Sequence, residues 1–251
     1  MTKGNGDHRL NAQNPALHLA IIMDGSGRWA AARGLPREEG HRAGRAAVRR
    51  TMAAALEQGI GVLTLFSFST DNWGRPQNEV AQLMRTFESF LRVDAPALLR
   101  RGIRIKVMGR RDRLPFALCD AISKIEAANP AAGRLLVRLA IDYSGRDAIL
   151  EAAREWRQST DPCPEGFLRL LTEAEPDAEP VRDVDLLIRT GGELRLSNCP
   201  LWDIAYAELY FTACMWPDFG PAELDAALQE YHTRDRRFGQ IPRVATQAGR
   251  L

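Results

Sequence analysis

The chain has 251 residues, of which 45% are hydrophobic and 26% are charged, a composition typical of globular proteins. Its 34 basic and 32 acidic side chains leave a net charge of +2, so we expect no nucleic-acid binding, which needs a clear basic surplus. No apolar run approaches the roughly 18 residues of a membrane span. The four cysteines show no C-x-x-C spacing, which argues against structural zinc and a disulfide framework and favours a cytoplasmic protein with reduced thiols.

The pattern along the chain predicts one large domain at residues 16–242, between a disordered polar arm at 1–15 and a short tail at 243–251. The arm has no apolar segment of the kind found in signal peptides. Buried strands are predicted at 18–23, 62–68, 103–108, 135–141 and 183–188, and helices at 42–58, 79–99, 146–157 and 222–231. Residues 202–211 fit either type. Strands that alternate with helices predict an α/β fold with a mostly parallel central sheet flanked by helices.

Polar residues cluster where the first strand ends, at Asp24, Gly25, Ser26, Gly27, Arg28 and Trp29. Two glycines and a helix start allow close approach of an anion, while Asp24 could hold Mg²⁺ and Arg28 could grip a phosphate. A dinucleotide fingerprint, G-x-G-x-x-A, also fits, but its acidic residue is expected about 20 positions later, far short of Asp71 after the next clear strand. A tight turn with a solvated arginine is the structural alternative.

Three further clusters contain groups suited to anions. The first of these is Arg37 with His41, and the second runs through Ser69, Thr70, Asp71, Asn72, Trp73 and Arg75, followed by Glu79. The third follows the last predicted strand, with Arg189, a Gly-Gly turn, Arg195, Leu196 and Ser197. Two arginines and a hydroxyl beside such a turn fit a diphosphate. The alternatives are helical arginines that face water, an Asx-capped turn and a surface turn.

Glu208 follows in an apolar stretch, where a carboxylate needs a metal or an ion pair. Asp24 and Glu208 are thus two candidate Mg²⁺ ligands, and a structural salt bridge is the alternative for Glu208. The chain has neither a G-x-x-x-x-G-K-[ST] loop nor the Asp-Asp-x-x-Asp sequence of trans-prenyl synthases. The clusters together indicate two diphosphates and a metal.

In this order, the clusters resemble the undecaprenyl diphosphate synthase family of cis-prenyltransferases. The motifs are HLAIIMDGSGRW, RGLPREEGHRAG, LTLFSFSTDNWGRP, DLLIRTGGELRLSN with LWDIAYAELYFT, and RDRRFG near the end. The resemblance implies a catalytic domain with a hydrophobic tunnel, Mg²⁺ as cofactor, isopentenyl diphosphate and an allylic prenyl diphosphate as substrates, and a homodimer. It is also compatible with peripheral membrane contact for release of a lipid product.

The resemblance also implies residue roles. Asp24 and Glu208 bind Mg²⁺, and Asn72 assists proton removal. Residues 25–28, Arg37 and His41 hold the allylic diphosphate, while Ser69, Trp73 and Arg75 lie near the reacting carbons, with Trp29, Thr70 and Asp71 beside these groups. Arg189, Arg195, Leu196 and Ser197 take isopentenyl diphosphate, and Arg237 with Gly239 reaches the neighbouring subunit. The family usually has Asn at Ser26 and Glu at Asp71, which leaves irregular or short-chain coupling as an alternative. A non-catalytic partner subunit is disfavoured because Asp24, Arg28 and Arg195 are present.

Overall fold

A computed structural model describes residues 16–158, 163–172 and 181–236. The predicted arm and tail lie outside the described residues, as do Arg237 and Gly239. Six strands form one sheet: β1 (His18–Ile22), β2 (Val62–Ser69), β3 (Ile103–Met108), β4 (Leu135–Tyr143), β5 (Leu186–Arg189) and β6 (Glu208–Phe211). All neighbouring strands are parallel, in the order β3-β4-β2-β1-β5-β6. The predicted α/β class with a parallel sheet is confirmed.

The helices that cover the sheet are α1 (Ser26–Ala31), α2 (Arg37–Glu57), α3 (Gln77–Ser89), α4 (Ala95–Arg100), α5 (Phe116–Ala127), α6 (Gly145–Gln158), α7 (Pro164–Thr172) and α8 (Pro221–Thr233). A π-helical turn, Phe90–Asp94, joins α3 to α4. Short 3-10 turns lie at Thr70–Gly74 and Trp216–Asp218. The described helices show no span long and apolar enough to cross a membrane.

Both faces of the sheet are buried, as alternation along β1 illustrates. Leu19 and Ile21 pack into the larger core, which includes apolar side chains of α2, α3 and α5. Ala20 and Ile22 point the other way, into a smaller core shared with Leu187 and Phe66. Successive side chains of a strand alternate between the two faces, so a strand buried on both reads as a continuous apolar run.

The structure differs from the predicted elements in several places. The predicted helix at 79–99 is interrupted by the π-helical turn. The helix start expected in the glycine-rich cluster is present, as the short helix α1. The ambiguous segment at 202–211 contains the short edge strand β6, whose side chains are only partly buried. Helices α5 and α7 were not predicted.

Candidate active site

The polar clusters meet at the carboxyl edge of the sheet. Ile22 lies beside Phe66 of β2 and Arg189 of β5 in the strand register. The chain segments that follow β1, β2 and β5 therefore leave the sheet at the same edge, where ligands of parallel sheets bind. Asp24 comes from the first of these segments and the Arg195 turn from the last.

Asp24 joins the first cluster to the last. Its Oδ2 atom accepts a hydrogen bond of 2.9 Å from Arg189 Nη2, and its Oδ1 atom accepts one of 2.6 Å from the Gly25 amide. Arg28 Nη2 lies 3.3 Å from Oδ1. Burial on its own would raise the pKa of Asp24, but the Arg189 hydrogen bond and the Arg28 charge outweigh it and hold the pKa below its ordinary value. Asp24 is therefore a carboxylate at neutral pH.

The Gly191-Gly192 turn brings the last cluster against Asp24. Gly191 has a φ of +84°, and an added Cβ would lie 2.9 Å from Arg28 and 3.0 Å from the Asp24 backbone. A side chain there would collide with both, so glycine is required for this approach. Arg189 Nη1 donates to Ser197 Oγ at 2.8 Å and also contacts the Arg195 carbonyl. Within the described part of the chain, the buried Arg189 Nε has no hydrogen-bond partner.

Glu193 lies between two of the predicted anion-binding arginines. Its carboxylate is 3.2 Å from Arg28 Nη1 and 2.5 Å from Arg195 Nη1. Both arginines are substantially exposed, so their contacts with Glu193 are individually weak. An incoming diphosphate can exchange with this carboxylate for the same donors.

A second set of cations shares one carboxylate, that of Glu79. Its Oε1 atom lies 3.0 Å from Arg37 Nε, 3.2 Å from Arg75 Nη1 and 3.6 Å from His41 Nε2. Burial lowers the pKa of His41, and although the Glu79 charge opposes this effect, Arg75 and Arg37 add to it. His41 is therefore neutral at pH 7, and its buried Nε2 atom has no hydrogen-bond partner among the described residues.

An apolar cavity begins at this second set and runs into the larger core. Its mouth is formed by Asp24, Gly25, Ser26, Gly27, Arg37, His41 and Arg75. Deeper in, the lining is largely apolar, with Leu83, Phe87, Phe90, Leu91, Leu139 and Ile141. The cavity thus combines an anion-binding entrance with walls suited to a hydrocarbon chain, as the predicted tunnel requires.

The cluster after β2 is a 3-10 turn that is fixed by its own side chains. Asn72 Oδ1 accepts the Ser69 amide hydrogen bond at 3.1 Å. Trp73 Nε1 donates to Asp142 Oδ1 at 2.8 Å, and Arg113 Nε donates to Asp142 Oδ2 at the same distance. Asp142 is fully buried and lies next to the last residue of β4. It therefore fixes the indole of Trp73, which also packs edge-on against Phe68.

Several predicted site residues point elsewhere. Trp29 donates to Asp218 at 2.7 Å and lies under the Arg33 guanidinium, and Leu196 packs against the smaller core. Thr70 lines a different surface pocket, with Asp142 and Ser144, and Asp71 is exposed. These side chains do not line the cavity.

Glu208 is not brought to Asp24. Glu208 pairs with Leu186 at the amino end of β6, whereas Asp24 lies beyond the carboxyl end of β1. With a rise of about 3.3 Å per residue, the two carboxylates lie at different heights of the sheet. Glu208 instead forms an ion pair with Arg234 at 3.0 Å. The expectation of one metal shell with Asp24 and Glu208 therefore does not hold within a chain, and the salt-bridge alternative describes Glu208.

Reasoning from sequence missed four residues of this region: Glu79 as a shared partner, Glu193, Asp142 and Arg113. Glu79 follows the cluster at residues 69–75 and lies at helical spacing from Arg75, a signal that could have identified it. Asp142 and Arg113 come from distant parts of the chain, and no local pattern links them to Trp73.

Residues 22–239 match the family model described as "Putative undecaprenyl diphosphate synthase". Isoprenyl transferase 1 of Bradyrhizobium diazoefficiens is 48% identical over 94% of each chain. A ditrans,polycis-undecaprenyl-diphosphate synthase ((2E,6E)-farnesyl-diphosphate specific) of Xanthomonas axonopodis pv. citri is 43% identical over 92% of this chain and 93% of the relative.

Two solved structures are similar to this one. Lavandulyl diphosphate synthase from Lavandula x intermedia, in complex with dimethylallyl diphosphate, superposes with a TM-score of 0.83 at 38% identity, over 89% of this chain and 98% of that one. A "probable undecaprenyl diphosphate synthase" from Campylobacter jejuni superposes with a TM-score of 0.74 at 30% identity, over 90% of this chain and 100% of that one.

Proposed function

The chain belongs to the undecaprenyl diphosphate synthase family and is a cis-prenyltransferase, and we propose that it condenses isopentenyl diphosphate with an allylic prenyl diphosphate. The observation that carries this proposal is the meeting of two anion-binding sets at Asp24. One set, Arg37, His41 and Arg75, surrounds the mouth of an apolar cavity. The other contains Arg28, Arg189, Arg195 and Ser197. Two diphosphates and one hydrocarbon chain fit this arrangement.

In the proposed reaction, the allylic diphosphate binds at the cavity mouth with its chain along the apolar walls. Ser26 and Gly27, at the start of α1, offer backbone N–H groups there, and His41 can donate from its Nε2 atom, which has no hydrogen-bond partner within the described part of the chain. Isopentenyl diphosphate binds to Arg189, Arg195 and Ser197. Arg28 belongs to the second set through its contacts with Asp24 and Glu193, and its place directly after residues 25–27 lets it also contact the allylic diphosphate.

The chemistry breaks the allylic C–O bond, and the diphosphate leaves with the electron pair. The double bond of isopentenyl diphosphate attacks the allylic carbon, and loss of one proton restores a double bond in cis geometry. Fixed arginines stabilise the charge that builds on the leaving diphosphate, while the apolar walls exclude water from the cationic carbon. Asn72, in the turn that holds Trp73, is proposed to assist the proton loss.

The donor set fits Mg²⁺. The described residues hold no cluster of three or more metal-ligating side chains, but Mg²⁺ is commonly held by one or two carboxylates together with substrate phosphates. Asp24 is ionised and about a third exposed, so it can serve as the protein ligand. Bound there, Mg²⁺ would neutralise diphosphate charge and act as a Lewis acid.

A homodimer and a cytoplasmic location complete the proposal. Large apolar side chains are exposed beside the edge strand β6, with Trp202 47%, Tyr206 65% and Leu209 38% accessible. Such a patch is typical of an interaction surface. Arg237 and Gly239 follow α8 and are proposed to reach the neighbouring subunit, and Glu208, on β6, lies in the same region. Membrane contact is proposed only for release of a lipid product.

The test is incorporation of radiolabelled isopentenyl diphosphate with allylic primers of several lengths, followed by chromatography of the dephosphorylated products. Mg²⁺-dependent extension that EDTA abolishes is expected. Absence of incorporation with every primer would contradict the proposal, as would extension that proceeds unchanged in EDTA. An irregular, branched product would favour the alternative of irregular coupling on the same scaffold.

A further inference from the structure

A charged residue, Arg45, lines the cavity beyond the polar groups of its mouth, among apolar side chains. It lies on α2 one turn after His41, and it lines the cavity together with Val48, Phe87 and Leu91. A charge beside a hydrocarbon ligand is costly unless the charge is paired and hydrogen-bonded. The partners of Arg45 therefore decide what this wall can accept.

Each nitrogen of the Arg45 guanidinium group donates a hydrogen bond, and the acceptors belong to Ser89 and Asp94, at the two ends of the π-helical turn. Its Nε atom donates to Asp94 Oδ2 at 2.5 Å, Nη1 donates to Ser89 Oγ at 2.7 Å, and Nη2 donates to the Ser89 carbonyl at 3.2 Å. The Asp94 side chain is only 6% exposed. We call these contacts the Arg45 bridge, and they join α2 to the far end of α3.

The bridge encloses the two side chains that close the cavity. Ser89 precedes the π-helical turn and Asp94 ends it, while Phe90 and Leu91 lie between them and line the cavity. Both are buried, at 6% and 2% exposure. π-Helical turns occur frequently at functional sites, and this one is held at both ends by the same guanidinium group.

Leu91 separates the cavity from a second hollow between α4 and α5. That hollow is lined by Leu91, Leu99, Ala121 and Ile125 and measures about 480 Å³. The cavity itself measures about 150 Å³, which is less than the roughly 300–1,000 Å³ of typical ligand pockets. Movement of the turn that carries Leu91 would therefore join the two spaces and give a growing chain more room.

We propose that the Arg45 bridge limits the length of the prenyl product by holding Phe90 and Leu91 against the growing chain. The inference rests on the proposed condensation, because only a chain that grows in this cavity would meet the bridge. Arg45 is then a specificity-determining residue, because it fixes the part of the wall that the chain meets as it lengthens.

The experiment compares Arg45→Ala and Arg45→Met with Arg49→Ala. Arg49 is a matched control because it donates to the same carboxylate, Asp94 Oδ1, at 3.0 Å but is exposed and does not line the cavity. Each protein receives one allylic primer and excess labelled isopentenyl diphosphate, and products are separated by length. Both Arg45 variants should shift the distribution toward longer chains by whole isoprene units. The Arg49 variant should give the parent's distribution.

The outcomes separate this inference from the proposed function. If the parent incorporates no isopentenyl diphosphate, the proposed function fails and this inference fails with it. If the parent extends primers but neither Arg45 variant changes the product length, only the bridge is ruled out, and the bulk of Phe87 and Phe90 sets the limit. An equal shift in the Arg49 variant would also overturn the role of Arg45. Thermal unfolding shows whether the variants are folded. If the Arg45 variants are not, Ser89→Ala, which removes the hydroxyl that accepts from Arg45 Nη1, is tested for the same shift in product length.

Discussion

Arg189 Nη2 donates a hydrogen bond of 2.9 Å to Asp24 Oδ2, and this contact ties the ends of two neighbouring strands together. Arg189 is 3% exposed and the Asp24 side chain 30%. The arginine is thus part of the buried frame, while the carboxylate has one side open to the site. Asp24 is oriented without being enclosed, which is the arrangement expected of a group that meets a ligand.

Asp24→Asn should give a folded protein with kcat lower by about 10²–10³, the usual loss when one electrostatic partner of the transition state is removed. The amide keeps the size of the side chain but has no charge for Mg²⁺ and forms a weaker contact with Arg189. Asp218→Asn is the control, because Asp218 is an exposed carboxylate that bonds only Trp29 and Arg33 among the contacts described above. Steady-state kinetics in saturating Mg²⁺ measures both. Activity near the parent's for Asp24→Asn would remove Asp24 from the metal site.

The two diphosphate sets should respond separately to loss of an arginine. Arg195→Ala should weaken isopentenyl diphosphate binding, and Arg37→Ala should weaken binding of the allylic substrate. The two are a matched pair, since each is exposed and bonded to one carboxylate, Glu193 or Glu79. Calorimetric titration of each variant with each substrate gives four affinities. Equal losses for both ligands in either variant would show that the diphosphate sites are wrongly assigned.

The strands could be predicted from sequence because a parallel sheet buries both faces, which produces uninterrupted apolar runs such as 62–68. The edge strand β6 gave no such run because its side chains are only partly buried. The polar clusters were predictable for a related reason: they directly follow strands, and parallel strands bring their carboxyl ends to one edge.

Contacts between distant segments could not be predicted. Asp142 meets Trp73, and Arg45 meets Asp94, through the way helices and strands cross in the fold, and no periodicity encodes that. The prediction that Glu208 shares a metal with Asp24 failed for a physical reason. A carboxylate in an apolar stretch requires a partner, but the sequence does not say which one. The partner is Arg234.

Glu79→Gln should lower kcat without weakening binding of the allylic substrate. The Glu79 carboxylate holds Arg37 and Arg75 and lies near His41. The neutral amide leaves the positive charge of Arg37 and Arg75 unopposed, which favours diphosphate binding. It also holds the two guanidinium groups in place less firmly. Misplacement of such groups can cost up to about 10²-fold in rate. Binding of the allylic diphosphate by calorimetry and kcat by initial rates test this. A large rise in the dissociation constant with kcat unchanged would contradict it.

Stability should fall in mild acid because of His18. This residue is fully buried, with Nε2 2.8 Å from Thr64 Oγ1 and Nδ1 2.7 Å from the Arg182 carbonyl. Burial, aided by the Arg138 charge, lowers the pKa of His18 to about 3. The unfolded chain takes up this proton near pH 6.5 and the folded chain does not. The stabilisation is therefore complete above about pH 6.5 and is lost as pH falls toward 3, by about 1.4 kcal/mol per pH unit.

Urea unfolding of the parent and His18→Gln at pH 7.5, 6 and 5 measures this slope. Glutamine keeps a polar group in the site but does not titrate, so the variant should lose less stability between pH 6.5 and 5 than the parent does. Carboxylates titrate mostly below this window, and both proteins share them. Identical slopes in the two proteins would show that His18 does not control acid sensitivity.

Asp142 should act on catalysis through Trp73. The carboxylate fixes the indole through the hydrogen bond to Nε1 and is itself held by Arg113, so Asp142→Ala frees the ring and leaves the guanidinium without its partner. Trp73→Phe keeps an aromatic ring, although a smaller one, and removes the N–H group. If Asp142 acts only by orienting Trp73, each single variant should lower kcat with little change in substrate binding, and the double variant should be no slower than the worse single one. Loss of a buried charged hydrogen bond costs about 1–3 kcal/mol of stability whether or not catalysis is affected. Unfolding measurements on each variant therefore separate the loss of stability from the loss of kcat. Additive losses in kcat would mean that Asp142 and Trp73 act independently, and the positioning role would have to be abandoned.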